Sequence, residues 1–316
     1  MQNVSLVAGG AGFIGSHLCN ELLKKGNKVI CLDNLSTGNK KNIQPFLGNE
    51  NFKFIEGSVT DLNIILKLNQ FSIHKIFHLA SPASVTYITH HPVDAADANS
   101  IGTKNLLKLA LEKNAKFLFA SSSEVYGDPK EHPQKESYWG NVNPVGIRSG
   151  YDEGKRFGEA LCMAYKRDLN VDVKIVRIFN TYGPNSSVKD SRVVPSFIVH
   201  ALRNESLSVY GDGMQTRSFC YVLDMVDGLI EMMESKETGP INLGNTDEYT
   251  ILDLAKKIIK TIGSRSEIQF AERPQDDPNV RKPDIKKAKQ KLAWKPKVGI
   301  DEGLSVTIDY FRNILV

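Results

Sequence analysis

Val4-Ser5-Leu6-Val7-Ala8-Gly9-Gly10-Ala11-Gly12-Phe13-Ile14-Gly15 is the stretch whose reading decides the fold. Val4 to Ala8 reads as a short buried strand. The glycines that follow have G-x-x-G-x-x-G spacing. A helical pattern then runs from about Phe13 to Lys25, and Gly26 ends it as a left-handed cap. Strand, glycine turn and helix together form an anion cradle. Small residues let the backbone approach a pyrophosphate, and the helix N-terminus offers free N–H groups and a positive dipole end. Glycine spacing alone is a weak signal; its surroundings strengthen it. The next apolar run, Lys28 to Leu32, closes on Asp33, 24 residues after Gly9. A carboxylate there can bond both hydroxyls of an adenosine ribose and repels a 2′-phosphate, so NAD is expected over NADP. Against this stand the nearby Lys40 and Lys41, and a plainer reading of Asp33 as a turn residue before Asn34.

Working outward, Phe52–Glu56, Ile76–Ala80, Phe117–Ser121 and Lys174–Phe179 read as further strands. Helical patterns near Asn99–Lys113 and Tyr151–Asp168 fall between them. Alternating strands and helices imply right-handed crossovers. The expected fold is α/β, a doubly wound parallel Rossmann sheet with a smaller α/β substrate-binding lobe. Residues 1–180 are assigned to the NAD-binding part and 181–316 to the substrate part; the boundary is approximate and later segments are free to return to the sheet. Tyr126–Gly150 breaks the rhythm with Pro129, Pro133 and Pro144, and a long loop in a compact domain tends to be functional. Thr250–Ile262 is an amphipathic helix with Leu252, Ala255, Ile258 and Ile259 on one face.

Composition narrows the class. The 316 residues suit two lobes rather than one small core. A formal net charge of +4 is too small to argue for a nucleic-acid protein. Eight Lys or Arg residues between Arg281 and Lys297 look basic, but Ile285, Ala288 and Leu292 form a helical stripe among them. The lysines are then the solvated face of a docked helix. Cys19, Cys31, Cys162 and Cys220 have no metal-type spacing and sit in apolar stretches, which reads as small buried hydrophobes. No metal site is expected. No 18-residue apolar run or cleavable leader is visible, so the expected home is the cytoplasm, with no membrane partner.

Tyr151-Asp152-Glu153-Gly154-Lys155 gives Tyr-x-x-x-Lys, with phenol and ammonium on one helix face. The ammonium is expected to lower the phenol pKa and make Tyr151 a base for a sugar hydroxyl, while the pair also holds the nicotinamide ribose. The motif is common by chance. It gains weight from Ser121-Ser122-Ser123-Glu124 at the end of a predicted strand, where ligands of open α/β sheets bind. Ser122 would orient the reacting hydroxyl, and Glu124 would add a carboxylate. The plainer reading makes them a strand-end cap and a surface acid.

His78-Leu79-Ala80, Ser123-Glu124-Val125-Tyr126-Gly127, the glycine loop and the Tyr/Lys pair resemble the extended short-chain dehydrogenases that act on nucleotide sugars. A narrower resemblance, to the UDP-glucuronate decarboxylases or UDP-xylose synthases, runs through essentially the whole chain. It is carried by Tyr126-Gly127-Asp128-Pro129, His132-Pro133-Gln134, Tyr138-Trp139-Gly140-Asn141-Val142-Asn143-Pro144 and Tyr151 to Arg156. Arg177 to Pro184, Gln215-Thr216-Arg217-Ser218-Phe219, Asp276-Asp277-Pro278 and Arg281-Lys282-Pro283-Asp284 continue it.

The resemblance implies NAD-dependent decarboxylation of UDP-glucuronate through a 4-keto intermediate, in a homodimer built on the helices near Asn99–Lys113 and Tyr151–Asp168. It makes Ser122, Glu124, Tyr151 and Arg281 reaction-centre groups, with Lys155 in support. Asn180, Arg192 and Arg217 are implied to hold UDP, and Ser123 to face the sugar. Gly9, Gly12, Phe13, Ile14, Gly15, Asp33, Asn34, Thr37, Gly38, Ser58, Val59 and Leu79 are implied cofactor contacts. The chain departs from the pattern at Ser58, where relatives have Asp, at Ser122, where they often have Thr, and in the loop after Ser84 near Tyr87. A nucleotide-sugar 4,6-dehydratase, a 4-epimerase and a catalytically silent NAD-binding protein are the competing readings.

Overall fold

A computed structural model describes residues 3–273 and 277–315; Asp276, part of one motif above, lies outside the described residues. The first half is a run of βα units: β1 (Val4–Ala8), α1 (Phe13–Lys24), β2 (Lys28–Asp33), β3 (Phe52–Glu56), α2 (Leu62–Lys67) and β4 (Lys75–His78). Two short helices follow, α3 (Val85–His90) and α4 (Pro92–Asp97). A single π turn at Ala98–Gly102 leads into α5 (Thr103–Lys113), then β5 (Lys116–Ser122), α6 (Ser149–Leu169) and β6 (Val173–Ile178). The expected strands and helices are present, with ends displaced by a residue or two, except that the α-helix expected from about Asn99 starts at Thr103, after the π turn. Buried parallel strands read as apolar runs because both faces are covered.

The sheet order is β11-β6-β5-β4-β1-β2-β3, all parallel, where β11 is the late strand Ile241–Leu243. Strand order reverses between β1 and β4, which opens a crevice at their C-terminal ends. One sheet face packs Val7, Leu118 and Val176 under α1; the other packs Leu6, Phe117 and Phe119 under α2, α5 and α6.

The remainder of the chain divides its work. β7 (Thr181–Tyr182), α7 (Val193–Leu202), β8 (Leu207–Tyr210), β9 (Thr216–Ser218) and β10 (Cys220–Tyr221) come first. α8 (Val222–Glu234) then returns to the main sheet and lies beside α1, burying Met225, Val226 and Leu229 in the first core. After β11 come β12 (Glu248–Thr250), α9 (Ile251–Ile262), β13 (Ile268–Ala271), β14 (Val280–Arg281), α10 (Lys286–Leu292) and α11 (Ile300–Leu315). A separate apolar core joins Phe197 and Ile198 of α7, Leu254 and Ile258 of α9, and Leu304 and Phe311 of α11. The basic tail docks as its stripe requires: Ile285, Ala288 and Leu292 are buried in the first core beside Trp294. All four cysteines are buried and free. Among the described residues no helix is long and apolar enough to cross a membrane.

Candidate active site

A cavity of about 1720 Å³ lies between the crevice of the sheet and the second core, and every candidate site residue named above lines it. Its cofactor half is built by the glycine turn. Gly9 has φ +82°, and a Cβ there would stand 2.6 Å from the Leu79 carbonyl carbon. At Gly15 a Cβ would meet Gly9 O at 2.0 Å, so neither position accepts a side chain. Gly12 caps α1 without a side-chain bond, and the first amides of the helix are left for a ligand. Asp33 is buried, which pushes its carboxyl up. Its Oδ2 accepts the Ala11 N–H at 2.9 Å and its Oδ1 the Leu35 N–H at 2.8 Å. The turn role and the acceptor role therefore coexist: the backbone bonds fix a carboxylate that faces the cavity. Ser58, in place of the expected Asp, shares a 2.8 Å hydrogen bond with Thr60, so it retains only a hydroxyl there. A pyrophosphate, a ribose diol and their dinucleotide fit this half.

The reaction half lies at the end of β5. The Ser122 hydroxyl accepts the Glu124 N–H at 3.2 Å, which caps the turn Ser123–Tyr126, and is also hydrogen-bonded to the Tyr151 phenol. Cap and orienting group are one residue. Lys155 Nζ donates to Ala120 O at 2.7 Å and lies 5.6 Å from the Tyr151 ring centre. The electrostatics differ from the sequence expectation. Burial, not the ammonium, dominates both groups: it pushes the phenol up to about 12 and the ammonium down to about 7. Lys155 steadies the ring and the strand end, and it does not depress Tyr151 in this arrangement.

Glu124 is clamped. Arg281 Nη1 donates to its Oε1, and Arg148 Nη2 donates to its Oε2 at 2.6 Å. Burial would raise this carboxyl, but the two guanidiniums win and hold it below the usual range. Arg281 also donates to Gly127 O at 3.1 Å, so β14 is tied across the cleft to the turn after β5. Arg281, expected as a reaction-centre group, is thus fixed in place by Glu124. Arg148 escaped the sequence reading. Its signal was its place three residues before Tyr151, one turn away on the same helix face.

The third wall carries the remaining arginines. Arg192 is fixed by Asp190, with Nη2 to Oδ2 at 2.5 Å, and its guanidinium lies 5.4 Å from the Phe13 ring centre. Arg217 donates to Asp277 at 3.1 Å and to Pro278 O at 2.7 Å. Asn180 gives its carbonyl to Cys220 N–H, while its buried Nδ2 has no partner, which leaves a donor for a ligand. Ser123 is buried beside Glu124. The loop after Ser84 is α3, and its Tyr87 hydroxyl donates to Asp94 at 3.2 Å.

Proteins that seat a dinucleotide at such a switch point, with a Tyr-x-x-x-Lys helix against it, are short-chain dehydrogenases. The added layer with its arginines places this chain among the extended ones. Comparison with known proteins agrees. The family model described as GDP-mannose 4,6 dehydratase matches residues 6–307. UDP-glucuronic acid decarboxylase 4 of Arabidopsis thaliana is 50% identical over 308 residues, 98% of this chain and 68% of that protein. UDP-glucuronic acid decarboxylase 1 of Xenopus tropicalis is 48% identical over 310 residues, 98% of this chain and 72% of that one. Among solved structures, UDP-glucose 4-epimerase of Thermotoga maritima superposes with a TM-score of 0.92 at 32% identity, covering 99% of this chain and 100% of that one. The chain belongs to the extended short-chain dehydrogenase family, and within it to the UDP-glucuronic acid decarboxylases.

Proposed function

We propose that this protein converts UDP-glucuronate to UDP-xylose and CO₂, with NAD regenerated in each cycle. The observation that carries the reading is the Glu124 carboxylate held between Arg281 and Arg148 beside Tyr151. Two fixed cations at one point suit an anionic sugar and the enolate it forms, because preorganised charge stabilises charge where it develops.

Bound NAD supplies the chemistry of removing hydride from C4 and returning it. Tyr151 takes the C4 hydroxyl proton and later gives it back, and Ser122 orients that hydroxyl. The resulting 4-ketone is β to the C5 carboxylate, so the C5–carboxylate bond can break with its electron pair delocalised into an enolate. Arg281 and Arg148 face the departing carboxylate, and Glu124 keeps the two guanidiniums in register. Asn180, Arg192 and Arg217 hold the uracil and diphosphate end. A 4,6-dehydratase would need an acid where Ser123 stands, to protonate a leaving hydroxyl. A 4-epimerase has no use for two arginines and a carboxylate at C5.

The molecule is read as a homodimer. Ile101, Leu111 and Phe157 stay about half exposed on the helical stretch of α5 and on α6, an apolar face suited to a second copy. Four unpaired thiols suit a reducing compartment, the cytoplasm. The test of the activity is incubation with UDP-glucuronate and identification of the products. CO₂ with UDP-xylose supports it. A 4-keto-6-deoxy sugar from UDP- or dTDP-glucose, with no CO₂ from UDP-glucuronate, overturns it in favour of the dehydratase.

A further inference from the structure

Loss of CO₂ leaves a carbanion at C5 that must acquire a proton, and the groups already named do not supply it. Glu124 is clamped as a carboxylate. Tyr151 is committed to the C4 oxygen. Behind Arg148, however, lies a second cavity of about 200 Å³, lined by Gly127, Asp128, Asn141, Val142, Arg148 and Asp152, among others. Asp152 is 8% exposed, and its Oδ1 has no hydrogen-bond partner. The Arg148 Nε on the same wall is also buried and unpartnered. A polar chamber of this size holds several waters, and its unsatisfied donor and acceptor are what such waters bond. Arg148 forms the partition: it lines both cavities and touches Glu124 on the front side. On the far side, Asp128 and Asn141 are exposed, so the chamber opens toward solvent.

We propose that Asp152 and this rear chamber form the proton entry for the reaction, resting on the decarboxylase reading above. The Asp152 O–H bond breaks, and its proton passes through water beside Arg148 to C5. There a C–H bond forms with the enolate's electron pair, which restores the 4-ketone. Asp152, now a carboxylate, regains a proton from solvent through the mouth at Asp128 and Asn141. Burial, with the Glu124 carboxylate second, pushes the Asp152 carboxyl up to about 7, so it both gives and regains a proton near neutral pH. The charged groups around it are Glu124, Arg281, and Arg148 and Glu153 on its own helix. Asp128 shares its chamber, and α4, packed on α6, carries Asp94 and Asp97.

The experiment uses the full-length chain with NAD and UDP-glucuronate. Asp152→Asn should lower kcat by about 10²-fold, the usual worth of a positioned proton donor, with KM and NAD affinity nearly unchanged. Because return of hydride waits on the C5 proton, the near-ultraviolet absorbance of reduced cofactor should build up during turnover of this variant. A merely structural role for Asp152 would not produce that absorbance. Asp152→Glu should restore most of the rate. Val142→Phe fills the chamber while leaving every acid and base in the sequence, and should slow turnover with the same absorbance; it decides the matter if Asp152→Asn does not fold. Wild-type kcat in Asp152→Asn, or a fall in kcat with no reduced cofactor, overturns the proposal. If the wild-type protein releases no CO₂, the decarboxylase reading falls first and this inference falls with it.

Discussion

Tyr151 holds its phenol proton tightly, at about 12, because it is buried and the carboxyl groups of Glu124 and Asp152 lie near it, while the Lys155 ammonium sits over its ring. Such a group carries a proton well and ionises only when positive charge arrives. Tyr151→Phe should fold, bind NAD as the wild type does and lose about 10²–10⁴-fold in kcat. A turnover within about threefold of wild type, roughly 0.7 kcal/mol of barrier, would remove Tyr151 from the chemistry. Asp33 is fixed by two backbone N–H groups, so its charge cannot swing away from a ribose. Titration of the protein should show NAD binding far more tightly than NADP, and Asp33→Ala should narrow the gap; equal affinities in the wild type would deny the role. Arg281→Ala leaves Glu124 buried with Arg148 alone. Removing one partner of a buried pair typically costs about 3 kcal/mol. The sign with pH follows from the Glu124 carboxyl, whose folded pKa lies below its unfolded value. Its stabilisation is complete above the unfolded pKa, about 4.3, and is lost as pH falls through the folded one. The Tm gap between wild type and Arg281→Ala should be widest near neutrality and close in acid. A gap independent of pH would mean that the ion pair contributes nothing.

At the scale of elements, the turn between β1 and α1 is the least tolerant segment. A methyl at Gly15 would stand 2.0 Å from Gly9 O, and no flexible side chain is there to yield. Gly15→Ala should therefore cost about 1–3 kcal/mol by overpacking and abolish NAD binding. Denaturant unfolding and cofactor titration measure the two effects, and a fully stable, NAD-binding variant would contradict the geometry. This segment was also the most legible in the sequence, because strand, glycines and helix each demand particular residues in a fixed order. Elsewhere legibility followed length. β5 and α6 are long enough to show their periods, whereas β11 is three residues, Ile241-Asn242-Leu243, and no periodicity exists in three residues. The helices α3 and α4 were missed for the same reason, at six residues each. Within the site, the Tyr/Lys pair was readable at four-residue spacing. For its partners Arg148 and Asp152 the spacing from Tyr151 was outweighed, because charged residues near a helix start ordinarily face water. Only the folded loop 127–148 and β14 close over them.

For the whole molecule, the homodimer proposed above is tested at the exposed apolar residues of α5 and α6. Phe157, 52% exposed, sits in the middle of α6. On that proposal, Phe157→Glu should sediment as a monomer where the wild type sediments as a dimer, with the fold intact. A wild-type protein that sediments as a monomer would remove the dimer altogether. The return of α8 and β11 to the first sheet has another consequence, for how the protein is born. The edge strand β11 pairs with β6, and the Trp294 indole, which donates to Asp224 O at 2.9 Å, closes the same core from a position near the far end of the chain. A nascent chain of 180 residues already holds the nucleotide-binding turn, yet it lacks α8, which together with α1 covers one side of its sheet. The ribosome must therefore hold back a sticky, half-clad layer until nearly the last codons are read, and an excised N-terminal piece would be a client for chaperones instead of a module.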